Sequence, residues 1–345
     1  MTKLFFLLSG EHPTLPFSEL KAILETEGFR HKVTGKLKQL MRVEADIESV
    51  KSIAHRAAMT RVCNIELTYC DAATEEIFEN VRSTPLEDFL EKGETFVVRV
   101  RRIGESAPQL IGEELERKLG AVVLRRVKGA KVHLTNPDKT FFGVLTGNKF
   151  VFGLRLAEIV PKPFVERRPR KRPFFHPSAM PPKLARCMVN LAQPKAGELV
   201  LDPFCGTASM LIEAGLIGCR VVGCDAQKRM VRGSLRNLIY YHIQPDGIAV
   251  ADAQHLPIAR VDCIVTDPPY GRSSSTMGRE TGEIVKDFLS RIDGHVQTGR
   301  RICIASPRSI HIGKLGRELG FKHLESHSVY VHRSLTREIA VLERN

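Results

Sequence analysis

The chain lacks the features that mark membrane, secreted and zinc-binding proteins. No run of apolar residues approaches the ~18 needed to span a bilayer. The apolar segment at residues 4–8 is too short for the core of a signal peptide, and Ser9 and Gly10 end it. None of the eight cysteines forms a C-x-x-C pair, and no paired Cys/His spacing indicates zinc. We therefore expect a cytoplasmic protein without a membrane span or metal site, with its cysteines buried as small hydrophobic residues.

Acidic residues are scarce relative to basic ones. The 345 residues include 52 Lys and Arg but 39 Asp and Glu, which gives a formal net charge of +13. A basic balance of this size predicts a polyanionic partner, nucleic acid first and an acidic membrane second. The alternative is a solvated basic surface in a protein from a hot or salty cell. Hydrophobic residues make up 43%, which is enough to build the cores of two or three domains.

The order of apolar patterns divides the chain into four segments. Residues 1–74 and 75–160 each alternate strand and helix patterns, which predicts two small α+β domains, with strands at 95–102 and 132–138 in the second. Four prolines and a dense group of cations in residues 161–173 predict an extended linker that faces phosphate, or else a plain solvated linker. Residues 174–345 alternate short apolar strands with helices and end in an antiparallel pair, which predicts an α/β, doubly wound, Rossmann-like sheet.

Two groups of cations are the candidate nucleic-acid-binding residues. One group lies within the strand predicted at 95–102, and the other lies in the linker. The residues are Arg99, Arg101, Arg102, Arg167, Arg168, Arg170, Lys171 and Arg172. Contacts from such side chains to phosphates provide affinity without sequence information.

The first site signal is a strand that runs into a glycine turn and then a helix. The turn is Asp202-Pro203-Phe204-Cys205-Gly206-Thr207, and Asp225 ends the next strand about twenty residues on, where an acid can accept both ribose hydroxyls. Asp252 and Ala253 end the third strand, where the acid could meet an adenine amino group. Any one of these acids could instead cap a helix. The turn lacks G-x-x-x-x-G-K-[ST] and G-x-G-x-x-G, so S-adenosylmethionine (SAM), which has no phosphate, fits better than a nucleotide.

The second site signal is Asp267-Pro268-Pro269-Tyr270, directly after the fourth strand. The two prolines lock the backbone and remove two donors, so carbonyl groups beside the Asp267 carboxylate can accept hydrogen bonds. An exocyclic amine offers two N–H donors to such acceptors, and Tyr270 can stack on an extruded base. The alternative is a Pro-Pro turn with a helix-capping aspartate.

These segments resemble the motifs of the amino-group methyltransferases. Asp267-Pro268-Pro269-Tyr270 resembles their motif IV, and residues 202–207 resemble their motif I. The segment 174–180, with Phe175, His176 and Ser178, resembles the stretch before motif I that helps to close the SAM site. Residues 96–102 and 134–138 resemble a THUMP domain, an RNA-binding module, preceded by a ferredoxin-like domain. Together they resemble the archaeal tRNA (guanosine-10 N2) methyltransferase family across essentially the whole chain.

The resemblance implies methylation of guanosine N2 in tRNA, and we expect a monomer. SAM would lie on the motif I turn with Asp225 at its ribose, and Asp267 and Tyr270 would hold the guanine amino group. Ala208-Ser209 departs from the family, which usually has a glycine pair there. The rivals are a methyltransferase acting on DNA or rRNA amino groups and a non-catalytic RNA-binding protein. A THUMP-containing thiouridine synthetase is disfavoured because the nucleotide loop is absent.

Overall fold

The computed structural model describes residues 1–270 and 280–345, and within these ranges it contains fifteen strands and ten α-helices. The elements of the first half are β1 (Thr2–Leu8), α1 (Leu15–Thr26), β2 (His31–Leu37), β3 (Leu40–Ala45), α2 (Ser49–Arg56), β4 (Thr60–Asp71), α3 (Thr74–Ser83), β5 (Thr95–Arg102), α4 (Gly112–Arg126), β6 (Lys131–Val132), β7 (Lys139–Thr146) and β8 (Lys149–Glu158). Those of the second half are α5 (Lys162–Glu166), α6 (Pro182–Ala192), β9 (Leu199–Asp202), α7 (Ser209–Gly215), β10 (Arg220–Asp225), α8 (Lys228–Tyr240), β11 (Gly247–Val250), β12 (Cys263–Thr266), α9 (Thr281–Arg291), β13 (Arg301–Pro307), α10 (Ile312–Glu318), β14 (Phe321–His332) and β15 (Leu335–Arg344).

The described residues form two compact units, and the first is built from three separate stretches of the sequence. It comprises residues 1–13, 29–54 and 60–159. Its eight strands form one sheet in the order β2-β3-β1-β4-β8-β7-β5-β6. The first four strands have the ferredoxin-like βαββαβ connectivity, and the antiparallel pairing of β4 with β8 joins them to the strands of the THUMP region. The boundary expected at residue 74 therefore falls inside a continuous sheet, and it stays a prediction.

The second unit holds an open, mostly parallel sheet in the order β11-β10-β9-β12-β13-β15-β14. β15 is antiparallel to both of its neighbours, β13 and β14. This unit comprises residues 14–28, 55–59 and 160–345. Helix α1 belongs to it because Leu15 and Ala22 share a buried apolar core with α6 residues such as Met188.

The segment expected to be an extended linker is folded. Residues 162–166 form α5, and a 3-10 turn follows at Pro169–Lys171. Proline at the first helical positions is pre-organised for a helix, and Phe164 is buried, so prolines start helical turns here and the expectation of an extended chain is wrong. The strand expected at 132–138 is also wrong, since only Lys131–Val132 pair with β5.

Sequence patterns missed several elements and correctly assigned the cysteines. The hairpin β2–β3, helix α3 and strand β7 were not anticipated. All eight cysteines are buried and free. Among the described residues, no helix combines the length and the apolar character that a membrane crossing requires.

Candidate active site

Three acidic residues meet at the carboxyl edge of the second sheet. Asp202 is the last residue of β9, Asp225 is the last of β10, and Asp252 follows β11 by two residues. β9, β10 and β11 are adjacent parallel strands, so their carboxyl ends lie side by side. Ligands of open α/β sheets bind at this edge.

The motif I turn is tied directly to Asp225. The Gly206 amide donates to Oδ2 of Asp225 at 3.1 Å, and the Gln227 amide donates to Oδ1 at 2.9 Å. Gly206 has φ +52°, a conformation that glycine adopts without strain. Each carboxylate oxygen keeps a further lone-pair site, so Asp225 can still accept the two hydroxyls of a ribose.

The departure from the family glycine pair has a structural consequence. Ala208 has φ +65° and ψ 29°, the left-handed conformation, where an L-residue costs roughly 1–2 kcal/mol. Its carbonyl nevertheless accepts the Ile212 amide at 2.9 Å and begins α7. The turn therefore keeps, with alanine, a backbone shape that suits glycine.

The other motif I residues are held by the core around them. The Phe204 ring packs edge-on against Phe288 with the ring centres 5.6 Å apart. The Cys205 amide donates to the Cys224 carbonyl at 2.8 Å, and the Thr207 carbonyl accepts from the Asn237 side chain at 3.0 Å. These residues therefore shape the turn mainly through their backbone.

Asp202 joins the cofactor edge to motif IV. Its Oδ1 accepts the Thr266 hydroxyl at 2.7 Å and the Phe204 amide at 3.1 Å. Burial raises the pKa of Asp202 to about 7, against the opposing effect of these two donors and with a further contribution from the carboxylates of Asp267 and Asp225. Asp202 therefore titrates near neutral pH.

Motif IV forms a closed arrangement with an arginine that sequence patterns did not single out. The Tyr270 hydroxyl donates to Oδ1 of Asp267. Nη2 of Arg337, on β15, lies 3.3 Å from Oδ2 of the same carboxylate, and its Nε donates to the Tyr270 oxygen at 2.9 Å. Burial raises the pKa of Asp267, while Arg337 and the Tyr270 hydroxyl oppose that rise. No sequence motif marks Arg337, because its strand, β15, comes near motif IV only by pairing with β13 in the folded sheet.

The segment before motif I lies against α8. The Phe174 amide donates to the Asn237 side chain at 2.9 Å, and a Cβ at Gly233 would come within 2.0 Å of the Phe174 ring. His176 Nδ1 lies 2.7 Å from the Ser178 hydroxyl, and Phe175 is 40% exposed. His176 also opposes the rise in the pKa of Asp225 that burial causes. This segment therefore reaches the edge where Asp225 ends β10.

Asp252 and Ala253 follow β11, the outermost strand at this end of the sheet. Asp252 is exposed, and its Oδ1 accepts the Gln254 amide at 2.9 Å, while Ala253 is buried. Their roles at a nucleoside base stay predictions.

Four of the candidate RNA-binding cations are engaged in intramolecular contacts. Arg172 is buried and donates to the Ser209 hydroxyl at 2.8 Å, and Arg167 makes two bonds to the buried Glu213, at 2.8 and 3.0 Å. Arg102 donates to the Ser106 carbonyl at 2.8 Å, and Arg99 to the Leu134 carbonyl at 2.7 Å. Arg167 and Arg172 are therefore turned inward, and a phosphate contact from either stays a prediction.

The remaining cations of that set face solvent. They are Arg101, Arg168, Arg170 and Lys171. Lys171 also pairs with Glu166 at 2.8 Å.

The edge fits a nucleoside cofactor such as SAM. Asp225 is oriented by two backbone amides, and the Gly206 turn brings backbone close to it. The order 3-2-1-4-5-7-6, counting strands from β9, with an acid after each of the first three, is the arrangement of a SAM-binding sheet. Among the described residues, no group of three or more His, Cys, Asp or Glu could hold a metal.

Comparisons with known proteins agree with this architecture. Residues 169–339 match the RMKL-like methyltransferase domain, and residues 71–155 match the THUMP domain. The chain resembles TrmN from Thermus thermophilus in fold, with a TM-score of 0.56 and 21% identity over 99% of this chain and 100% of that one. Fold and site thus define a class I SAM-dependent methyltransferase.

Two archaeal relatives extend the likeness over the full length. The tRNA (guanine(10)-N2)-dimethyltransferase of Methanothermobacter thermautotrophicus is 38% identical over 99% of each chain. The protein of the same name from Methanocaldococcus jannaschii is 33% identical over 98% of this chain and 99% of its own. The chain belongs to the tRNA (guanine(10)-N2)-dimethyltransferase family.

Proposed function

We propose that this chain transfers methyl groups from SAM to the N2 amino group of guanosine 10 in tRNA. The observation that carries the proposal is the position of Asp267 and Tyr270 at the end of β12, the strand beside β9, on which motif I begins. Relatives that match the whole chain are named for this reaction. We further propose a cytoplasmic monomer, and free, buried cysteines accord with a reducing compartment.

The chemistry required of the protein is activation of a weak nucleophile. The N2 lone pair of guanine is delocalised into the ring, so the amino group attacks poorly. By accepting an N–H hydrogen bond, the Asp267 carboxylate shifts electron density onto nitrogen and orients the amine. SAM, when bound, would supply an electrophilic methyl group on its sulfonium, and the methyl–sulfur bond that breaks would leave a neutral thioether. As the N–C bond forms, the amine loses a proton, and burial makes Asp267 a stronger base for it than a solvated aspartate.

The second methylation uses the same acceptor. After one methyl transfer, N2 retains one N–H group that can again donate to Asp267. The Tyr270 ring lies beside this carboxylate and can stack on the extruded base in both steps. We therefore propose that both N2-methylguanosine and N2,N2-dimethylguanosine are products.

Affinity for tRNA would come from exposed cations outside the pocket. Arg168 and Arg170 lie in the folded linker, and Arg101 lies on β5. Contacts from these side chains to phosphates would hold the RNA without reading its bases.

The test is identification of the product. Unmodified tRNA is incubated with the protein and labelled SAM, then digested to nucleosides. Label should enter N2-methylguanosine first and its dimethyl form later, and a transcript with guanosine 10 replaced should stay unlabelled. Label in N6-methyladenosine or N4-methylcytidine would contradict the guanine assignment. Strong label in rRNA or DNA with none in tRNA would contradict the RNA substrate. Light scattering would check the monomer.

A further inference from the structure

Arg337 lies at the carboxyl edge of the sheet, where no sequence motif placed it. It sits on β15 opposite Pro307, the last residue of β13, and it is 7% exposed. Its Nη1 lies 3.3 Å from the sulfur of Met180, itself buried. The guanidinium is therefore held both by a strand that is paired on both sides and by the segment that leads into α6.

Arg337 and Tyr270 together engage both oxygens of the Asp267 carboxylate. Tyr270 donates to Oδ1, and Arg337 Nη2 lies 3.3 Å from Oδ2. The phenol oxygen accepts from Arg337 Nε at 2.9 Å, so the three side chains form a closed ring of polar contacts. The guanidinium also lies over the Tyr270 ring, 5.2 Å from its centre.

This ring leaves one contact that a substrate amine can replace. A donor entering the site can take the place of the Tyr270 hydroxyl at Oδ1, because both are neutral donors to the same oxygen. The Arg337 contact to Oδ2 joins two opposite charges in a poorly solvated site, and breaking it would leave both without a partner charge, whereas displacing the neutral Tyr270 hydroxyl leaves no charge behind. Exchange at Oδ1 therefore costs less than exchange at Oδ2.

We propose that Arg337 is the positioning residue of the methyl-transfer site. It fixes Asp267 through Oδ2 and holds the Tyr270 hydroxyl, while the target amino group replaces that hydroxyl as the donor to Oδ1. This role rests on the proposed function. Arg337 contacts neither the base nor SAM in this scheme, and it acts through the two motif IV side chains.

Charge gives Arg337 a second effect through the same contact. Among the described residues, the titratable and charged groups that face Asp267 are Tyr270, Arg337 and, from β9, Asp202. Burial raises the pKa of Asp267, and Arg337 is the cation that opposes this rise. Without Arg337 the carboxyl would hold its proton to higher pH, and a protonated carboxyl has lost its negative charge and carries a donor on one oxygen, so it is a weaker acceptor for the amine and cannot take up its proton.

The experiment compares Arg337→Met and Arg337→Lys with the wild-type chain in tRNA methylation across pH. Arg337→Met should lower kcat by about 100-fold or more while the KM for tRNA changes by less than about twofold. Its acid limb should move to higher pH by about one unit or more. Arg337→Lys keeps the charge but not the planar fork, so the acid limb should stay while kcat falls about tenfold. Arg333→Met, which removes an exposed arginine from the turn before β15, is the matched control.

A second measurement does not depend on activity. The pKa of Asp267, followed by NMR of carboxyl-labelled aspartate and assigned by its loss in Asp267→Asn, should rise in Arg337→Met and stay unchanged in Arg333→Met. An unchanged pKa together with an unchanged kcat would overturn the role. A fall in kcat with no change in the acid limb or in the Asp267 pKa would reduce Arg337 to a structural residue and also overturn it.

The remaining outcomes are also decisive. If Arg337→Met does not fold, Arg337→Lys carries the test, and full kcat in that variant would overturn the proposal. If the wild-type chain does not methylate tRNA, the proposed function fails, while the NMR titration still reports whether Arg337 sets the state of Asp267.

Discussion

Two buried carboxylates at the site are connected through a single residue. Asp202 accepts the Thr266 hydroxyl, and Thr266 immediately precedes Asp267. A charge on one of these acids raises the pKa of the other, because like charges in a poorly solvated site repel. The protonation of the cofactor edge and that of motif IV are therefore linked.

Asp267→Asn should abolish most methyl transfer while leaving substrate binding intact. Asn keeps the size of the side chain but loses the negative charge and one acceptor, so kcat should fall by about 10²–10⁴-fold. Affinity for tRNA should stay within about twofold, because it comes from many phosphate contacts. Single-turnover assays and filter binding would measure the two quantities. Asp246→Asn, which removes a carboxylate at the opposite end of β11, is the control, and near-normal turnover in Asp267→Asn would remove the residue from catalysis.

SAM affinity should depend on pH through Asp202. The pKa of this group is raised to about 7, so it is largely neutral below pH 7 and ionised above it. SAM carries positive charge, so it should bind the ionised form better, and affinity should rise by up to about tenfold per unit as pH increases towards 7. Calorimetry from pH 5.5 to 8 would measure the rise. Asp202→Asn should flatten it, whereas an unchanged slope in that variant would assign the dependence to another group.

At the scale of elements, the segment before the methyltransferase sheet works as a brace. Arg167 and Arg186 both pair with Glu213 of α7, whose side chain is fully buried. The Arg167 guanidinium also lies over the ring of Phe164 in α5, 4.6 Å from the ring centre. A buried carboxylate shared by two arginines holds α5, α6 and α7 together.

Glu213→Gln should destabilise the second unit strongly. The change removes the carboxylate that pairs with two poorly solvated guanidinium groups, and breaking a buried pair in this way costs about 3–5 kcal/mol. Chemical denaturation would measure the loss. Glu166→Gln removes the partner of Lys171 at the surface and should change stability little. Equal stability of the two variants would show that the buried cluster is not needed for the fold.

Reversing the exposed linker cations should weaken tRNA binding and its salt dependence. In Arg168→Glu/Arg170→Glu, each lost phosphate contact lowers the slope of log affinity against log salt by about 0.7–0.9. Reversal of Lys314 and Arg317 on α10 gives the same change in net charge and is the control. A full wild-type slope in the linker variant would mean that the segment only braces the second unit.

At the scale of the whole molecule, the methyltransferase unit is discontinuous in sequence. Glu19 of α1 is fully buried and accepts the Asn190 side chain at 2.9 Å and the amides of Ala58 and Met59 at 3.0 and 2.8 Å. Burial raises the pKa of Glu19, and these donors oppose the rise. Residues far upstream of the sheet thus complete its core.

A fragment of residues 160–345 should therefore fold poorly by itself. Without α1 it exposes the apolar face of α6 that Leu15 and Ala22 cover, and Asn190 loses its buried acceptor. We expect a lower Tm and binding of a hydrophobic dye, and a peptide of residues 14–28 should partly restore stability. A cooperative transition at the Tm of the full chain would show that α1 is dispensable.

The sequence by itself determined the class of fold and the motif residues. Alternating strands and helices, the glycine turn after β9 and the Asp-Pro-Pro-Tyr segment after β12 depend on local backbone preferences, so they can be read along the chain. The same signals predicted that Asp202, Asp225 and Asp252 end successive strands, and carboxyl ends of parallel strands meet at one edge.

The tertiary structure alone decided which charges face inward and which residues complete the site. Whether Arg167 meets solvent depends on the position of Glu213, 46 residues away. Arg337 reaches Asp267 only because β15 pairs with β13 and brings together residues 70 positions apart. α1 lies in sequence between strands of the first unit but belongs to the core of the second. Composition and spacing describe neighbours in sequence, whereas these contacts are set by packing between segments whose separation no local pattern encodes.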